Sequence, residues 1–139
     1  MGVGAGHVEA EFDALDIEFS KRGKLLDECL QAITGAFDDT YVSHDGDAFN
    51  YTDVGVAPAP PSGELTVWVG GGGKAAQRRV GQYGHGFVPF TNPHDSYPEL
   101  IANIKQAAEA AGRGDTQFDI GIFTPVSYTH LTLPTTPYV

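Results

Sequence analysis

Four consecutive glycines, Gly70–Gly73, separate a short apolar run from an alanine-rich segment. The run at residues 65–69 has the composition of a buried strand, and the segment that begins at Lys74 has that of a helix. Backbone without Cβ atoms can approach a ligand closely, and the amides that open a helix attract anions. The order of strand, glycines and helix therefore predicts a phosphate-binding loop, and a merely flexible connection is the alternative.

The rest of the chain also alternates strands with helices. This alternation predicts an α/β fold with a parallel sheet and right-handed crossovers, either doubly wound or a (β/α)8 barrel. Residues 41–62 carry a proline cluster and are predicted to form an irregular excursion, and the acidic residues 9–12 are predicted to be a loop. The predicted elements are helix 20–37 capped by Ser20, strand 65–69, helix 73–83, strand 86–90, a helix from Ser96 to Gly112 with a capping box of Ser96 and Glu99, and strand 118–123.

Composition restricts the classes of function. The 139 residues suffice for one ordinary core, and the 18 acidic against 8 basic side chains, a net charge of −10, disfavour nucleic-acid binding. Cys29 is the single cysteine, so no disulfide framework is predicted, and its helical position favours a packed thiol. The five histidines lack metal-site spacing, so no metal is expected. No apolar run has membrane-spanning length and no signal-like start is present, which predicts a cytoplasmic protein.

Four segments, taken together and in order, point to one family. They are Gly2-Val3-Gly4-Ala5-Gly6, Phe19-Ser20-Lys21-Arg22-Gly23, Val67-Trp68-Val69-Gly70-Gly71 and Gly84-His85-Gly86-Phe87. In this order they resemble the luciferase-like flavin and deazaflavin oxidoreductases. The resemblance implies a (β/α)8 barrel roughly twice the length of this chain. Residues 1–125 would supply about strands four to seven of that barrel, as an open and incomplete central part.

The resemblance implies an oxidoreductase or monooxygenase that uses FMN or the deazaflavin coenzyme factor 420 and acts on a small organic substrate. The parent protein would be a homodimer. The chain alone is expected to be inactive. His7 would face the cofactor ring or the substrate as the candidate catalytic residue, although a surface loop histidine is the alternative. The cofactor-binding residues would be Gly6, Gly70, Gly71, Gly72, Gly73 and Lys74.

Two departures from the commonest family pattern leave the subgroup and substrate open. His7 stands where many relatives have tryptophan, and His85 replaces the usual aspartate between two glycines. Arg78 and Arg79 follow the glycine loop closely enough to assist phosphate binding, with at least one of them expected in solvent. The competing hypothesis is a small non-catalytic domain that binds a phosphate ligand or a partner protein.

The C-terminal segment has a different character from the rest. Residues 126–135 match, codon by codon, the translation of a sequencing-library adapter, and they do not continue the pattern of the preceding strand. The sequence is therefore divided into a barrel segment, 1–125, and a non-native tail, 126–139. A genuine tail rich in threonine and proline is the alternative.

Overall fold

The computed structural model describes residues 1–37, 39–90 and 92–122. The described chain forms a four-stranded parallel sheet, a separate two-stranded hairpin and four α-helices. Short 3-10 turns at Phe19–Lys21 and His94–Ser96 precede two of the helices. The elements are β1 (Gly2–Val3), α1 (Glu9–Ala14), α2 (Arg22–Gly35), β2 (Val42–Asp45), β3 (Asn50–Val54), β4 (Trp68–Gly71), α3 (Lys74–Tyr83), β5 (Gly86–Pro89), α4 (Tyr97–Ala110) and β6 (Asp119–Ile120).

The parallel sheet has the strand order β1-β4-β5-β6. Each neighbouring pair is parallel, and the order follows the chain apart from the hairpin. A doubly wound sheet would reverse its order at a switch point, and these four strands do not. Helices α2, α3 and α4 contribute to one core on a single face of the sheet. The predicted α/β fold with a parallel sheet is therefore confirmed, in a singly wound form.

The two faces of the sheet differ in how they are filled. Val67, Val69 and Phe87 point toward the helices and are fully buried, and burying each contributes about 1.5–3 kcal/mol. On the opposite face, Trp68 lies across Gly86, where an added Cβ would stand 2.3 Å from the indole ring. The glycine lets the ring lie flat on the neighbouring strand. The core residues are Leu30, Val67, Val69, Ala76, Val80, Phe87, Leu100 and Ile104.

The glycine run does not begin where the strand was predicted to end. β4 starts at Trp68 rather than at residue 65, and it includes Gly70 and Gly71. Gly70 lies between β1 and β5, with an added Cβ 3.5 Å from the Val3 carbonyl oxygen. Pairing with Val88 and Pro89 of β5 draws these two glycines into the sheet, so the loop itself comprises Gly72 and Gly73. The chain begins with the two-residue strand β1, which pairs with β4, and the glycines Gly4 and Gly6 follow it outside the sheet.

Ser20 is not the N-cap of α2, whereas Ser96 does occupy the predicted N-cap position of α4, but neither serine hydroxyl caps its helix. The hydroxyl of Ser20 donates to Glu18, and α2 begins only at Arg22, after a 3-10 turn. The hydroxyl of Ser96 donates to the carbonyl of Pro93, 2.7 Å away, so no capping box forms with Glu99. In each case a 3-10 turn brings a nearer acceptor to the hydroxyl.

The ends of the later elements agree partly with the sequence. Gly112, predicted to end the last helix, has φ +73° and its amide donates to the Glu109 carbonyl, as expected of a helix stop. The last strand is shorter than predicted, covering Asp119–Ile120, and the predicted position 123 lies outside the described residues. The proposed tail, residues 126–139, also lies outside them.

Residues 9–12 form the short helix α1 rather than a loop. α1 has no side-chain cap at Val8 and buries none of its residues, but Glu9 and Glu11 stand in its first turn, where acidic side chains favour a helix. The ring of Phe12 packs edge-on against Phe19, with the ring centroids 5.2 Å apart. Local helix propensity and this contact with the following turn therefore both favour the helix.

Part of the excursion at 41–62 forms an antiparallel hairpin, β2–β3, with a register irregularity between Val42 and His44, and this hairpin was not predicted. Residues 55–62, which carry the proline cluster, lie in no helix or strand, as predicted. Glu28 on α2 holds its turn by accepting the amides of Ala48 at 2.9 Å and Phe49 at 2.7 Å. Desolvation alone would raise the pKa of Glu28, but the amides of Phe49 and Ala48, with His44 beside them, outweigh it and lower the pKa. The hairpin thus depends on a carboxylate 20 residues away in the chain.

Candidate functional site

The carboxyl ends of β1, β4 and β5 meet at one edge of the sheet, here called the carboxyl edge. In parallel α/β sheets this edge is where ligands bind. The chain leaves β1 toward His7, leaves β4 into Gly72 and Gly73, and leaves β5 toward Phe90 and Asn92. The residues predicted to bind the cofactor and the candidate catalytic residue therefore follow neighbouring strands.

The backbone at Gly71 and Gly72 admits only glycine. Gly71 has φ +147°, and a Cβ on it would lie 2.8 Å from the Cβ of Ala76. A Cβ on Gly72 would lie 2.8 Å from the carbonyl oxygen of Phe90 and 3.1 Å from Oδ1 of Asn92. These distances are shorter than side-chain carbons tolerate, so the turn packs closely against the segment that follows β5.

Two consecutive carbonyls of this turn point toward that same segment. The Phe90 amide donates to the Gly71 oxygen at 3.2 Å, and Nδ2 of Asn92 donates to the Gly72 oxygen at 3.2 Å. A trans peptide places its carbonyl and its N–H on opposite sides. The N–H groups of Gly72 and Gly73 consequently both point away from the segment after β5.

The glycine turn leads directly into α3. Gly73 occupies the N-cap position, and its carbonyl accepts the amide of Ala76 at 3.0 Å. Within the described part of the chain, the amides of Gly72, Gly73 and Lys74 have no hydrogen-bond acceptor. These amides lie at the positive end of the α3 dipole, and the Lys74 side chain is exposed beside them. The residues fit a phosphate group.

His7 lies at the same edge. It is exposed, and its ring centroid lies 6.0 Å from that of Phe90, with 33° between the ring planes. Phe90 as a residue is 45% exposed, although its backbone amide is bound to Gly71. The structure thus brings His7 and the glycine turn together through Phe90, a residue that the sequence analysis did not select.

Two of the glycines predicted to bind the cofactor, Gly6 and Gly70, are explained by close packing within the protein. Gly6 has φ +76°, and a Cβ on it would lie 2.8 Å from the ring of Phe12. Gly70 lies inside β4, between the backbones of β1 and β5, rather than in the turn. Both residues let other groups approach closely, which does not require a ligand.

Asn92 is the polar residue that the sequence analysis missed. Its Nδ2 bonds the Gly72 carbonyl, whereas its Oδ1 is buried without a partner in the part of the chain that is described. A polar side chain shortly after the carboxyl end of a parallel strand was the available signal.

Arg78 and Arg79 do not serve the glycine turn. Both bind Asp27 on α2: Nη2 of Arg78 at 2.7 Å and Nε of Arg79 at 2.6 Å. Arg79 is buried and also donates to the Gly23 carbonyl at 2.8 Å. Arg78 is half-exposed, in agreement with the expectation that at least one of the two arginines lies in solvent. The two arginines join α3 to α2, and the expected help with phosphate binding is not seen.

His85 lies at the opposite, amino edge of the sheet. Its Nδ1 accepts the amide of Val67 at 3.2 Å, and its Nε2 lies 2.9 Å from Oε1 of Glu64. Because an amide can only donate, Nδ1 carries no proton and Nε2 is the donor to Glu64. The ring therefore closes the start of β4 and holds a defined tautomer, in keeping with the structural role that the sequence suggested.

Arg113 completes the amino edge. Its guanidinium donates to the carbonyls of Gly81 and Gly84, each at 2.9 Å, and it thereby caps the C-terminal end of α3. Burial lowers the pKa of Arg113, and the nearby Glu64 carboxylate partly offsets this effect. A positive charge at a helix C-terminus also complements the helix dipole.

Other candidate chemistry is weak in the described residues. Burial raises the pKa of the Cys29 thiol, and the charge of Glu28 adds to this effect, so the thiol stays protonated at neutral pH. No group of three or more histidine, cysteine or acidic side chains in the described part could hold a metal ion. None of the described helices is long and apolar enough to cross a membrane.

The chain is similar to several known proteins. It is 28% identical over 129 residues to an uncharacterized protein of Mycobacterium tuberculosis (strain H37Rv), covering 93% of this chain and 44% of that protein. It is 26% identical over 134 residues to an F420-dependent glucose-6-phosphate dehydrogenase of Mycolicibacterium fortuitum, covering 92% of the chain and 40% of the relative. The chain thus spans less than half the length of the curated relatives it matches.

Its fold is similar to that of a solved monooxygenase from Streptomyces bottropensis. The TM-score is 0.71 at 24% identity, over 88% of this chain and 38% of the monooxygenase. A family model described as luciferase-like monooxygenase matches residues 1–131, nearly the whole sequence. The chain therefore belongs to the luciferase-like monooxygenase family.

Proposed function

We propose that this chain is the phosphate-binding part of a flavin- or deazaflavin-dependent oxidoreductase. The observation that carries the proposal is the set of unpaired amides of Gly72, Gly73 and Lys74 at the start of α3. Membership of the luciferase-like family supports an oxidoreductase, and the F420-dependent relative supports a cofactor of this class. Both candidates, FMN and coenzyme factor 420, carry a phosphate group.

The turn would bind the cofactor through backbone rather than side chains. Each amide that donates to a charged oxygen contributes about 1.5–3 kcal/mol, and the α3 dipole adds about 0.3–1 kcal/mol. Because Gly71 and Gly72 lack Cβ atoms, the phosphate could approach the backbone without steric hindrance. Lys74, exposed beside the turn, would add a mobile positive charge.

His7 and Phe90 would serve the other end of the cofactor. Both are exposed at the carboxyl edge, next to the turn that would hold the phosphate. His7 has an accessible imidazole, a group that can donate or accept a hydrogen bond and can act as a general acid or base. The bound cofactor would supply hydride transfer or oxygen activation, and the two side chains would orient the ring and the organic substrate and exclude water.

We further propose that residues 1–125 form about half of a (β/α)8 barrel, corresponding to strands four to seven. Four parallel strands in chain order, with α2, α3 and α4 on one face, support this assignment. The edges at β1 and β6 have no further parallel partner among the described strands. The remaining strands would supply the other contacts to the ring, and the chain alone would bind the cofactor weakly and be inactive. The whole enzyme would act on a small organic substrate, with a second copy as its partner.

Binding of FMN and of riboflavin by the purified 139-residue chain tests the proposal, because the two ligands differ only in the phosphate. Flavin fluorescence should give an affinity for FMN that is about tenfold or more above that for riboflavin, the effect of one charged hydrogen bond. In Gly72→Asp the added carboxylate should abolish this preference. Gly114→Asp is the matched control, since it adds the same charge at an exposed loop after α4.

Three results would separate the possibilities. Equal affinities of the wild-type chain for FMN and riboflavin would contradict a phosphate site. A preference for FMN that survives in Gly72→Asp would place the phosphate elsewhere. Binding of inorganic phosphate as tight as that of FMN would favour the second candidate, a non-catalytic domain that binds phosphate ligands, because the ring would then contribute nothing.

A further inference from the structure

We propose that Asn92 is a positioning residue of the phosphate turn, acting through the carbonyl of Gly72. The inference rests on the proposed function, because it concerns the same turn. Asn92 would not contact the phosphate itself. It would set the direction of the peptide between Gly72 and Gly73, and hence the direction of the Gly73 N–H.

The ladder geometry shows what Asn92 changes. In a parallel sheet, successive residues of a central strand bond alternately to the two neighbouring strands. Gly71 bonds to the β5 side, through the Phe90 amide, so both backbone groups of Gly72 would ordinarily face the β1 side. The Gly72 carbonyl instead accepts Nδ2 of Asn92, on the β5 side. The regular alternation is therefore broken at this residue.

The break has a direct consequence for the two amides. With a regular ladder, the N–H of Gly73 would point to the β5 side, opposite to that of Gly72. With the Gly72 carbonyl held by Asn92, the N–H groups of Gly72 and Gly73 point to the same side. Two adjacent donors on one side form the kind of concave anion site known as a nest. Asn92 would thus convert a strand end into a binding turn.

The atoms of Asn92 also indicate a role beyond packing. A carbonyl oxygen cannot donate, so the side-chain nitrogen must face Gly72 and the orientation of the amide is fixed. Its Oδ1 is then buried with no partner in the described part of the chain. A buried acceptor left unpaired is unfavourable, and such groups tend to be retained where they serve a site.

Asn103 provides a matched comparison within the same molecule. Its Nδ2 donates to Oε1 of Gln77 at 2.9 Å and joins α4 to α3. The substitution Asn103→Ala therefore removes one side-chain amide bond to the α3 region without touching the glycine turn. Asn92→Ala removes the bond at the turn without adding a charge, whereas Asn92→Asp keeps the side-chain shape but replaces the donor by a carboxylate that also repels an anion, so the affinity comparison rests on Asn92→Ala.

The experiment is a titration of the labelled chain with inorganic phosphate, followed by amide ¹⁵N–¹H NMR spectra. In the wild type, the amides of Gly72, Gly73 and Lys74 should shift together. In Asn92→Ala and Asn92→Asp the Gly73 shift should be lost, and in Asn92→Ala the phosphate affinity should fall by about tenfold, the effect of losing one charged hydrogen bond. Asn103→Ala should behave as the wild type.

Residual dipolar couplings of the ligand-free proteins test the orientation directly. The Gly72 and Gly73 N–H vectors should lie on the same side in the wild type, and the Gly73 vector should reorient in both Asn92 variants. A wild-type phosphate response that persists unchanged in these variants would overturn the role of Asn92 and leave the proposed function intact. A wild-type chain with no response at the three amides would overturn both.

Discussion

Both edges of the parallel sheet carry a histidine and a basic side chain, but these groups are hydrogen-bonded within the protein at the amino edge and exposed at the carboxyl edge. At the amino edge, His85 uses both ring nitrogens and Arg113 donates to the carbonyls that end α3. At the carboxyl edge, His7 and Lys74 are exposed, and in the described chain the amides that begin α3 lack acceptors. The same helix therefore has a closed C-terminal end and an open N-terminal end.

This difference separates structural from functional polar groups better than residue identity does. A histidine whose two nitrogens are both bound has no capacity left for a ligand, whereas an exposed histidine beside unpaired amides has. An arginine that caps a helix satisfies the protein's own carbonyls, and an unpaired lysine at the positive end of a helix adds to its attraction for an anion. The predictions below test whether the open edge is a binding site and the closed edge is a structural one.

The largest stability effect should come from Arg113 at the closed edge. Arg113→Met would leave the carbonyls of Gly81 and Gly84 without their donor, at an expected cost of about 2–4 kcal/mol in the free energy of unfolding. Urea unfolding followed by circular dichroism would measure this change. Arg78→Met removes the half-exposed arginine, but Asp27 still forms its ion pair with Arg79. The free energy of unfolding should therefore fall by less than about 1 kcal/mol. Equal losses in both variants would argue against the cap.

Gly72 and Gly84 allow the two edges to be compared at matched sites. An added Cβ would lie 2.8 Å from the Phe90 oxygen at Gly72, and 2.8 Å from the Val80 Cα at Gly84. Both Gly→Ala substitutions should therefore destabilise the fold, by about 1–3 kcal/mol each. Only Gly72→Ala should also weaken FMN binding, measured by flavin fluorescence under conditions where both variants are folded. The same loss of binding in Gly84→Ala would mean that affinity merely follows stability.

The sequence predicted the order of these elements more reliably than their ends. Hydrophobic spacing identified the three long helices and the core strands β4 and β5, because those residues face one core. Gly70 and Gly71 were assigned to a loop, since glycines in tandem signal a turn, but pairing with β5 places them in β4. The hairpin was missed because Glu28, far away in the chain, holds its turn.

The candidate site was predicted only as far as local sequence allows. The strand–glycine–helix order pointed to the turn at Gly72–Gly73, and the position of His7 after β1 pointed to the same edge. Asn92 and Phe90 were not predicted as site residues, because they reach the glycine turn only if β5 is the neighbour of β4 in the sheet. That neighbour relation is a property of sheet topology, and the spacing of residues along the chain does not contain it.

Replacing His85 and replacing His7 should change the free energy of unfolding by different but smaller amounts. His85→Ala would leave the Val67 amide without its acceptor and remove the Glu64 contact, for an expected loss of about 1–2 kcal/mol in unfolding free energy. His7→Ala should change stability by less than about 0.5 kcal/mol, because its side chain is exposed. Thermal or urea unfolding of the two variants would suffice. A His7 loss as large as that of His85 would show that the carboxyl edge is also structural.

The smallest effect should come from Lys74, whose charge is exposed at the open edge. In Lys74→Gln, phosphate affinity at low ionic strength should fall by roughly two- to fivefold, because a single exposed charge contributes about 0.3–1 kcal/mol. At 0.5 M salt the wild type and the variant should become nearly equal, since screening acts over only a few ångströms at that concentration. The amides of Gly72 and Gly73 would still bind the anion there. A salt-independent loss in Lys74→Gln would instead mean that the ammonium group contacts the anion closely, so that the side chain and not the backbone dominates binding.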